Sequence, residues 1–313
     1  MKGLELSRAY YETYGEPMLK EQFPDLLPFL AAGMTGSGSE CFGFDDEIST
    51  DHDFEPGFCL FLPGEDVVDR RRAFLLERAY AKLPKEFHGF RRSLMQPVGG
   101  ARHGVMRIED FLNEKTGTPD GRLTLSQWMT IPEASLAEAV NGLLFFDNYG
   151  EMTQIRQRLA HYPEEIRRKK LAGHLLLMAQ SGQYNYMRCL KHGETGAAQL
   201  AVCEFVKSAM AVLFLLSGKY QPYYKWAFKA LREIPGRGPE ADLLEYLLTT
   251  DNSEDNRDAK YMVIEEIAAD IIDELIDLEL TQANCGDLEK HAYSVNDGIA
   301  DAQVRNLHVL AGV

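Results

Sequence analysis

Two aspartates separated by one residue, Asp51 and Asp53, are the side chains of this sequence best suited to chemistry. They precede the apolar run 58–62, which predicts a β-strand, and residues i and i+2 of a strand point to the same face. Two carboxylates held that close repel each other, and a divalent cation removes the penalty. The pair therefore predicts a site for Mg²⁺ or Mn²⁺.

A glycine–serine pair, Gly38 and Ser39, precedes the aspartates, and eleven residues separate Ser39 from Asp51. A turn of this kind brings backbone N–H groups and a hydroxyl to phosphate oxygens. Each element alone is common in ordinary turns and strand starts. Together, a phosphate cradle and a metal-binding pair are the equipment for phosphoryl or nucleotidyl transfer.

The first third of the chain contains the elements that must position these residues. Helical periods at 6–23 and 65–83 alternate with strand-like runs at 58–62 and 105–108, which favours a small α/β domain. From about residue 132, long segments with helical periodicity dominate the sequence. These lie at 151–162, 164–180, 196–216, 222–233, 239–249 and 258–279.

We therefore predict an α+β protein with an α/β domain over residues 1–130 and an all-helical domain over residues 131–313. The boundary is soft between residues 115 and 150. Residues 143–146 are read either as a strand or as a packing segment.

Composition narrows the class of protein. The chain has 313 residues, with 33 Lys and Arg against 48 Asp and Glu, so its net charge is −15. This balance counts against broad binding to nucleic acid, which depends on cationic side chains. The longest apolar run, 209–216, is far shorter than a bilayer span of about 20 residues. We expect no membrane association and no export, hence a cytoplasmic location.

Five cysteines are scattered along the chain without a C-x-x-C pair. This odd number and irregular spacing argue against a disulfide framework and against a structural zinc site. A reducing compartment fits this pattern.

The order Gly38-Ser39 and then Asp51-x-Asp53 resembles the motif of the DNA polymerase beta-like nucleotidyltransferase superfamily. With residues 145–148 and 219–226, the chain also resembles a bacterial family known only as domain of unknown function 4037. The domain arrangement is similar to that of kanamycin-type antibiotic nucleotidyltransferases. The resemblance implies an N-terminal nucleotidyltransferase-like domain, a C-terminal helical bundle, and transfer of a nucleoside monophosphate from a triphosphate to an acceptor hydroxyl.

The resemblance also implies a third carboxylate on a later strand, and here the sequence departs from the superfamily. The candidate strand offers Met106 or Arg107 where an acid is expected. Glu109, just beyond, is our candidate third catalytic acid beside Asp51 and Asp53, and its alternative role is to start a helix. Without a third acid, the chain is a catalytically silent nucleotide- or ligand-binding protein. His103, which precedes the strand, is a weaker candidate.

One basic helix face stands out in the helical half. Lys225, Lys229 and Arg232 recur at spacings of four and three, beside aromatic residues within 220–226. This face can hold a triphosphate, with Lys225 as the nucleotide-binding residue, or it is simply a solvated face. The acceptor is expected to be a small molecule or a protein rather than RNA. The sequence leaves the nucleotide, the acceptor and the oligomeric state open.

Overall fold

The computed structural model describes residues 1–48, 54–92 and 102–313. Asp51 and Asp53 lie outside these residues. The architecture is α+β, as predicted, with a small sheet in the first half of the chain and helices throughout.

The helices and strands have the following bounds, in chain order. The helices are α1 (Gly3–Tyr10), α2 (Glu16–Gln22), α3 (Ser39–Phe42), α4 (Arg70–Ala81), α5 (Ile108–Thr116), α6 (Leu125–Thr130), α7 (Glu133–Val140), α8 (Glu151–Leu159), α9 (Glu164–Met178), α10 (Met187–Lys191), α11 (Thr195–Leu216), α12 (Tyr224–Glu233), α13 (Gly238–Thr249), α14 (Arg257–Asp277), α15 (Leu288–Asp297) and α16 (Ala302–Arg305). The strands are β1 (Ala31–Met34), β2 (Cys59–Leu62), β3 (Glu86–Phe87), β4 (Phe90–Arg91), β5 (Gly104–Arg107) and β6 (Leu143–Asp147).

The chain divides into two compact units, and the division is not a single cut. The first unit comprises residues 1–123 and 134–160, and the second comprises 124–133 and 161–313. Residues 134–160 fall into the first unit because β6 pairs with β1. The predicted domain boundary after residue 130 differs from this division, since the segment 143–146 is a strand of the sheet.

The main sheet has the order β5-β2-β1-β6. β1 is antiparallel to both β2 and β6, whereas β2 and β5 are parallel. Three strands, β5, β2 and β6, therefore run in one direction and β1 runs in the other. The end of β1 consequently meets the beginnings of the other three strands at the same edge of the sheet.

Aromatic side chains from the turn after α1, from the residue before β2 and from α4 pack together on one face of this sheet. The ring of Phe58 lies 5.2 Å from that of Tyr11 and 4.9 Å from that of Tyr80. Gly15 permits this packing, because a Cβ there would lie 2.5 Å from Phe58. α1 and α2 are joined by a π-helical turn, Tyr11–Gly15, so the predicted helix 6–23 is a continuous helical stretch.

The second unit is a helical assembly around α9 and α11. Leu171, Phe205, Leu213 and Ile264 are among its fully buried residues. Beyond α9 the chain continues through a π-helical segment, Ala179–Tyr186, into α10, which the sequence pattern did not predict. Within the described residues every strand ends before residue 148.

One helix of the second unit, α11, is long and apolar enough to cross a membrane. Its 18-residue window has a mean hydropathy of 1.8, and 61% of that window is buried inside the protein. A mostly buried core helix passes the same test. Isolated polar residues interrupt α11, so its longest uninterrupted apolar run is only 209–216. The absence of membrane association stays a prediction.

Candidate functional site

We call the edge where β1 ends and β2, β5 and β6 begin the turn edge. It carries residues 35–40 after β1, residues 54–58 before β2, Arg102 and His103 before β5, and Asn141 before β6. Gly38 and Ser39 are thus at the sheet edge that the chain reaches immediately after Asp53. The pairing of the strands accounts for this convergence of segments that are far apart in the sequence.

The turn after β1 depends on two glycines. Gly36 has φ of +112° and Gly38 has φ of +127°, a backbone conformation that L side chains rarely adopt. The turn leads into the short helix α3, which begins at Ser39. Ser37, Gly38 and Ser39 are half-buried, so part of this loop faces solvent.

Asn141 holds the turn from the beginning of the neighbouring strand, β6. Its Oδ1 accepts a hydrogen bond from Gly36 N at 2.9 Å, and its Nδ2 donates to Gly36 O at 2.8 Å. Thr35 Oγ1 donates to the backbone carbonyl of Asn141 at 2.9 Å. Both backbone polar groups of the buried Gly36 are therefore satisfied by a single side chain 105 residues away.

Two cations, the buried Lys115 and the half-buried Arg156, support this arrangement. Arg156 Nη2 donates to the carbonyls of Val140 and Asn141 at 2.7 and 2.6 Å, and burial lowers the pKa of its guanidinium. Lys115 Nζ donates to Glu138 Oε2 at 2.7 Å and to Glu114 Oε1 at 2.8 Å. Burial alone would lower the pKa of Lys115, but these hydrogen bonds outweigh it and raise the pKa above its ordinary value. Neighbouring helices are thereby fixed beside the turn.

The segment that follows Asp53 is anchored at three points. Tyr80, on α4, accepts a hydrogen bond from Phe58 N at 3.0 Å and donates to Phe58 O at 2.7 Å. Arg92 Nε donates to Pro56 O at 3.2 Å, and its guanidinium lies over the rings of Tyr10 and Tyr80. The entry to β2 is therefore held firmly, although the predicted metal ligands themselves lie outside the described residues.

Acidic side chains are buried at the turn edge. Asp45 accepts a hydrogen bond from Gly3 N at 2.8 Å and lies 3.9 Å from Lys2 Nζ. Glu40 is 7% exposed and lies against Gly38, where a Cβ would be 2.5 Å from its Oε1. Burial raises the pKa of Glu40, against the lowering influence of His103 and Arg102. A carboxyl group buried in this way is either protonated or balanced by a nearby cation.

His103 is brought to the same place. Its Nδ1 lies 3.5 Å from Glu55 Oε1, and both side chains are mostly buried. Gly57 allows this packing, because a Cβ there would lie 2.8 Å from the His103 ring. Among the described residues, however, no three His, Cys, Asp or Glu side chains are grouped closely enough to hold a metal ion.

The structure does not bring Glu109 to the turn edge. β5 runs away from that edge, and Glu109 lies in the first turn of α5, just beyond the far end of the strand. There it is close to Glu151, whose pKa is raised by burial and then by Asp147, Asp66 and Glu109. As a helix-start residue, Glu109 takes the alternative role that the sequence left open.

Lys225 lies in the second unit, in the first turn of α12. Its side chain is exposed, and Nζ lies 4.9 Å from the centre of the Trp226 ring. Arg232, on the same helix, forms ion pairs with Asp242 and Glu245. The basic face is therefore partly neutralised at one end and open at Lys225.

Sequence reasoning missed the residues that shape the turn. Asn141 and Arg156 carry no catalytic motif, and Lys115 is a lysine in an otherwise ordinary helix. The one local signal is Asn141-Gly142 before an apolar run, which is typical of a turn that precedes a strand. Nothing in that signal shows which turn Asn141 would contact.

Comparisons with known proteins give a partial match. Residues 128–227, about a third of the chain, match the family described as "Domain of unknown function (DUF4037)". The resemblance to that family is confirmed over this segment. It includes Asn141 and Lys225 and leaves out the turn that carries Gly38.

A solved structure of a nucleotidyltransferase-like protein from Exiguobacterium sibiricum 255-15 is also similar. The two chains are 12% identical, the similarity covers 90% of each, and the TM-score is 0.37. A comparison with curated proteins gives no match.

Proposed function

We propose that this protein is a metal-dependent nucleotidyltransferase. The acceptor hydroxyl oxygen would attack the α-phosphorus of a nucleoside triphosphate, forming a new phosphoester bond and releasing pyrophosphate. The observation that carries the proposal is the turn 36–39, which is clamped by Asn141 at the sheet edge that the chain reaches after Asp51 and Asp53. Backbone N–H groups of such a glycine turn bind phosphate oxygens.

A divalent cation fits this edge chemically. Mg²⁺ is commonly bound by one or two carboxylates, with water and substrate phosphates completing its shell. Asp51 and Asp53 would supply those carboxylates, and a nearby cation would favour the charged form of the buried Glu40, which burial disfavours. When bound, Mg²⁺ or Mn²⁺ would neutralise charge that develops on the phosphates.

The remaining site residues are proposed from their chemistry. Gly38 and Ser39 would hold the triphosphate through backbone amides and a hydroxyl, and Lys225 would add a cation from the helical unit. The acceptor would be a small molecule or a protein rather than RNA, since the chain carries a net charge of −15. The short apolar runs and the scattered cysteines of the sequence lead us to place the reaction in the cytoplasm.

A second candidate is a catalytically silent nucleotide-binding protein on the same scaffold. It is favoured by the position of Glu109, which lies beyond the far end of β5, while β5 itself contributes no carboxylate. The turn and the metal pair would then bind a triphosphate without transferring its nucleotidyl group.

Binding calorimetry with the four nucleoside triphosphates tests the shared part of both candidates. We expect Mg²⁺-dependent binding to the wild-type chain, and loss of that binding in EDTA or in the double variant Asp51→Asn, Asp53→Asn. Equal affinity with and without metal, or in the wild type and the double variant, would rule out the site.

Label transfer separates the two candidates. Incubation with α-³²P-labelled triphosphates and cell extract should produce a labelled acceptor together with pyrophosphate if the protein is a transferase. Tight metal-dependent binding without any labelled product would support the silent binder instead.

A further inference from the structure

A groove on the second unit is lined by polar and aromatic side chains, and none of its lining residues belongs to the site proposed above. Its volume is about 680 Å³, within the range of small-molecule sites. Its walls are the π-helical segment Ala179–Tyr186, the part of α14 that carries Tyr261 and Glu265, and the chain that enters α15.

Gln183 joins all three walls. Its Nε2 donates to Glu265 Oε2 and to Gly286 O, both at 2.9 Å, and its Oε1 accepts a hydrogen bond from Leu288 N at 3.0 Å. The amide is thereby fully engaged in holding the groove together. A ligand would enter a preformed site and would pay little for ordering it.

The π-helical wall follows from close packing behind it. A Cβ at Gly182 would lie 2.4 Å from Phe205 and 2.8 Å from Ile264, so only glycine lets this segment approach α11 and α14. Tyr184, two residues on, is 62% exposed in the groove wall, whereas Tyr186 is fully buried in the core. Single π-helical turns are frequent at functional sites.

The charge of the lining selects the ligand. Glu265, Asp287 and Glu289 are acidic, and none of the described residues that line the groove is Lys, Arg or His. Tyr184 and Tyr261 add aromatic rings, and the Arg188 guanidinium, 5.5 Å from the centre of the Tyr184 ring, already lies over one face of that ring. A triphosphate would be repelled here, whereas a cation gains both charge pairing and ring contacts.

We propose that this groove binds a small organic cation that carries more than one amino group. Carboxylates on two walls, Glu265 on α14 and Asp287 with Glu289 at α15, would pair with separate amines. The amides of Gln180 and Asn185 would accept further N–H hydrogen bonds. The inference does not depend on nucleotide transfer, because its test contains no nucleotide.

The test is calorimetric titration of the full chain with spermidine at near-physiological salt. The double variant Asp287→Asn, Glu289→Gln removes two charges, and asparagine still caps α15, where Asp287 Oδ1 accepts from Glu289 N at 2.9 Å. We expect this variant to weaken spermidine binding about five- to tenfold, as exposed charge pairs predict.

A matched control separates a site from general attraction to an acidic protein. Asp273→Asn with Asp277→Asn removes two exposed acids of α14, which lie at least 12 Å along the helix from Glu265 by the rise of about 1.5 Å per residue. This control should bind spermidine like the wild type, and excess Mg²⁺ should not displace the ligand.

Equal weakening in both double variants, displacement by Mg²⁺, or no spermidine binding would each overturn the proposal. A third variant, Tyr184→Ala, changes an exposed side chain, so it should fold normally. If its affinity for spermidine equalled that of the wild type, the aromatic part of the site would be refuted.

Discussion

Replacing Asn141 by alanine should loosen the turn on which the proposed nucleotide site depends. The substitution removes two hydrogen bonds to Gly36, at 2.9 and 2.8 Å. Each such bond contributes about 1 kcal/mol net, and a buried group left without a partner costs about 1–3 kcal/mol. Because Gly36 is buried, we expect the free energy of unfolding to fall by about 2–4 kcal/mol, which lowers Tm by roughly 4–16 °C for a unit of this size.

Scanning calorimetry of the full chain measures this change. Both tryptophans, Trp128 and Trp226, belong to the second unit, so tryptophan fluorescence provides a separate reading of that unit. Asn148→Ala is the matched control, because Asn148 is exposed at the far end of β6 and its Nδ2 makes one hydrogen bond, to Leu27 O at 2.8 Å. The control should lose no more than about 1 kcal/mol.

Triphosphate affinity at a temperature where the Asn141→Ala variant remains folded adds a functional reading. A loosened turn should weaken Mg²⁺-dependent binding about tenfold or more, whereas the Asn148→Ala control should bind normally. If Asn141→Ala were no less stable than the control, the clamp would be refuted. If only stability fell and affinity stayed the same, the turn would lose its role as the phosphate site.

Two further outcomes follow from single side chains. Lys225→Ala should weaken triphosphate binding about ten- to hundredfold, because a charge-assisted contact is lost, and should leave binding of the bare nucleoside unchanged. The control in this calorimetric measurement is Lys207→Ala, at an exposed lysine of α11. Equal triphosphate affinities of the two variants would remove Lys225 from the site. Burial, and then Lys170, lower the pKa of His174 to about 3, so the unfolded chain binds a proton below about pH 6.5 that the folded chain does not. The free energy of unfolding should fall by about 1.4 kcal/mol per pH unit below 6.5, or about 2 kcal/mol by pH 5. In urea unfolding, the stability of His174→Gln should depend less on pH below about 6.5 than that of the exposed-site control His192→Gln. Parallel pH dependences of the two variants would contradict the assigned cause.

The parts of the candidate site that depend on short sequence patterns could be predicted from the sequence. A glycine that must adopt positive φ and an apolar run that must form a strand are marked by residue type, so the turn at Gly38 and the strand β2 could be read directly from the sequence. The alternation of residue types does not show which strands pair. The sequence therefore left residues 143–146 open between a strand and a packing segment, and the structure pairs β6 with β1 of the first unit.

Glu109 illustrates the same limit at the site itself. It stands two residues past the end of β5, close in sequence to a strand that does reach the turn edge. Because β5 runs parallel to β2, its beginning and not its end lies at that edge, and His103 arrives there in place of Glu109. Glu109 therefore lies a strand length away from the turn edge, although it follows closely on a strand that begins there.

The sequence by itself determined the α+β composition, the glycine turn, the acidic character and the long helices of the second half, because each depends on residue type and spacing over a few turns or strands. Tertiary structure alone decided that Asn141 clamps Gly36, that Arg92 and Tyr80 hold the entry to β2, and that Gln183 closes a groove in the second unit. These contacts join groups tens to more than a hundred residues apart. Their geometry is set by strand direction and helix packing, which are properties of the folded chain as a whole.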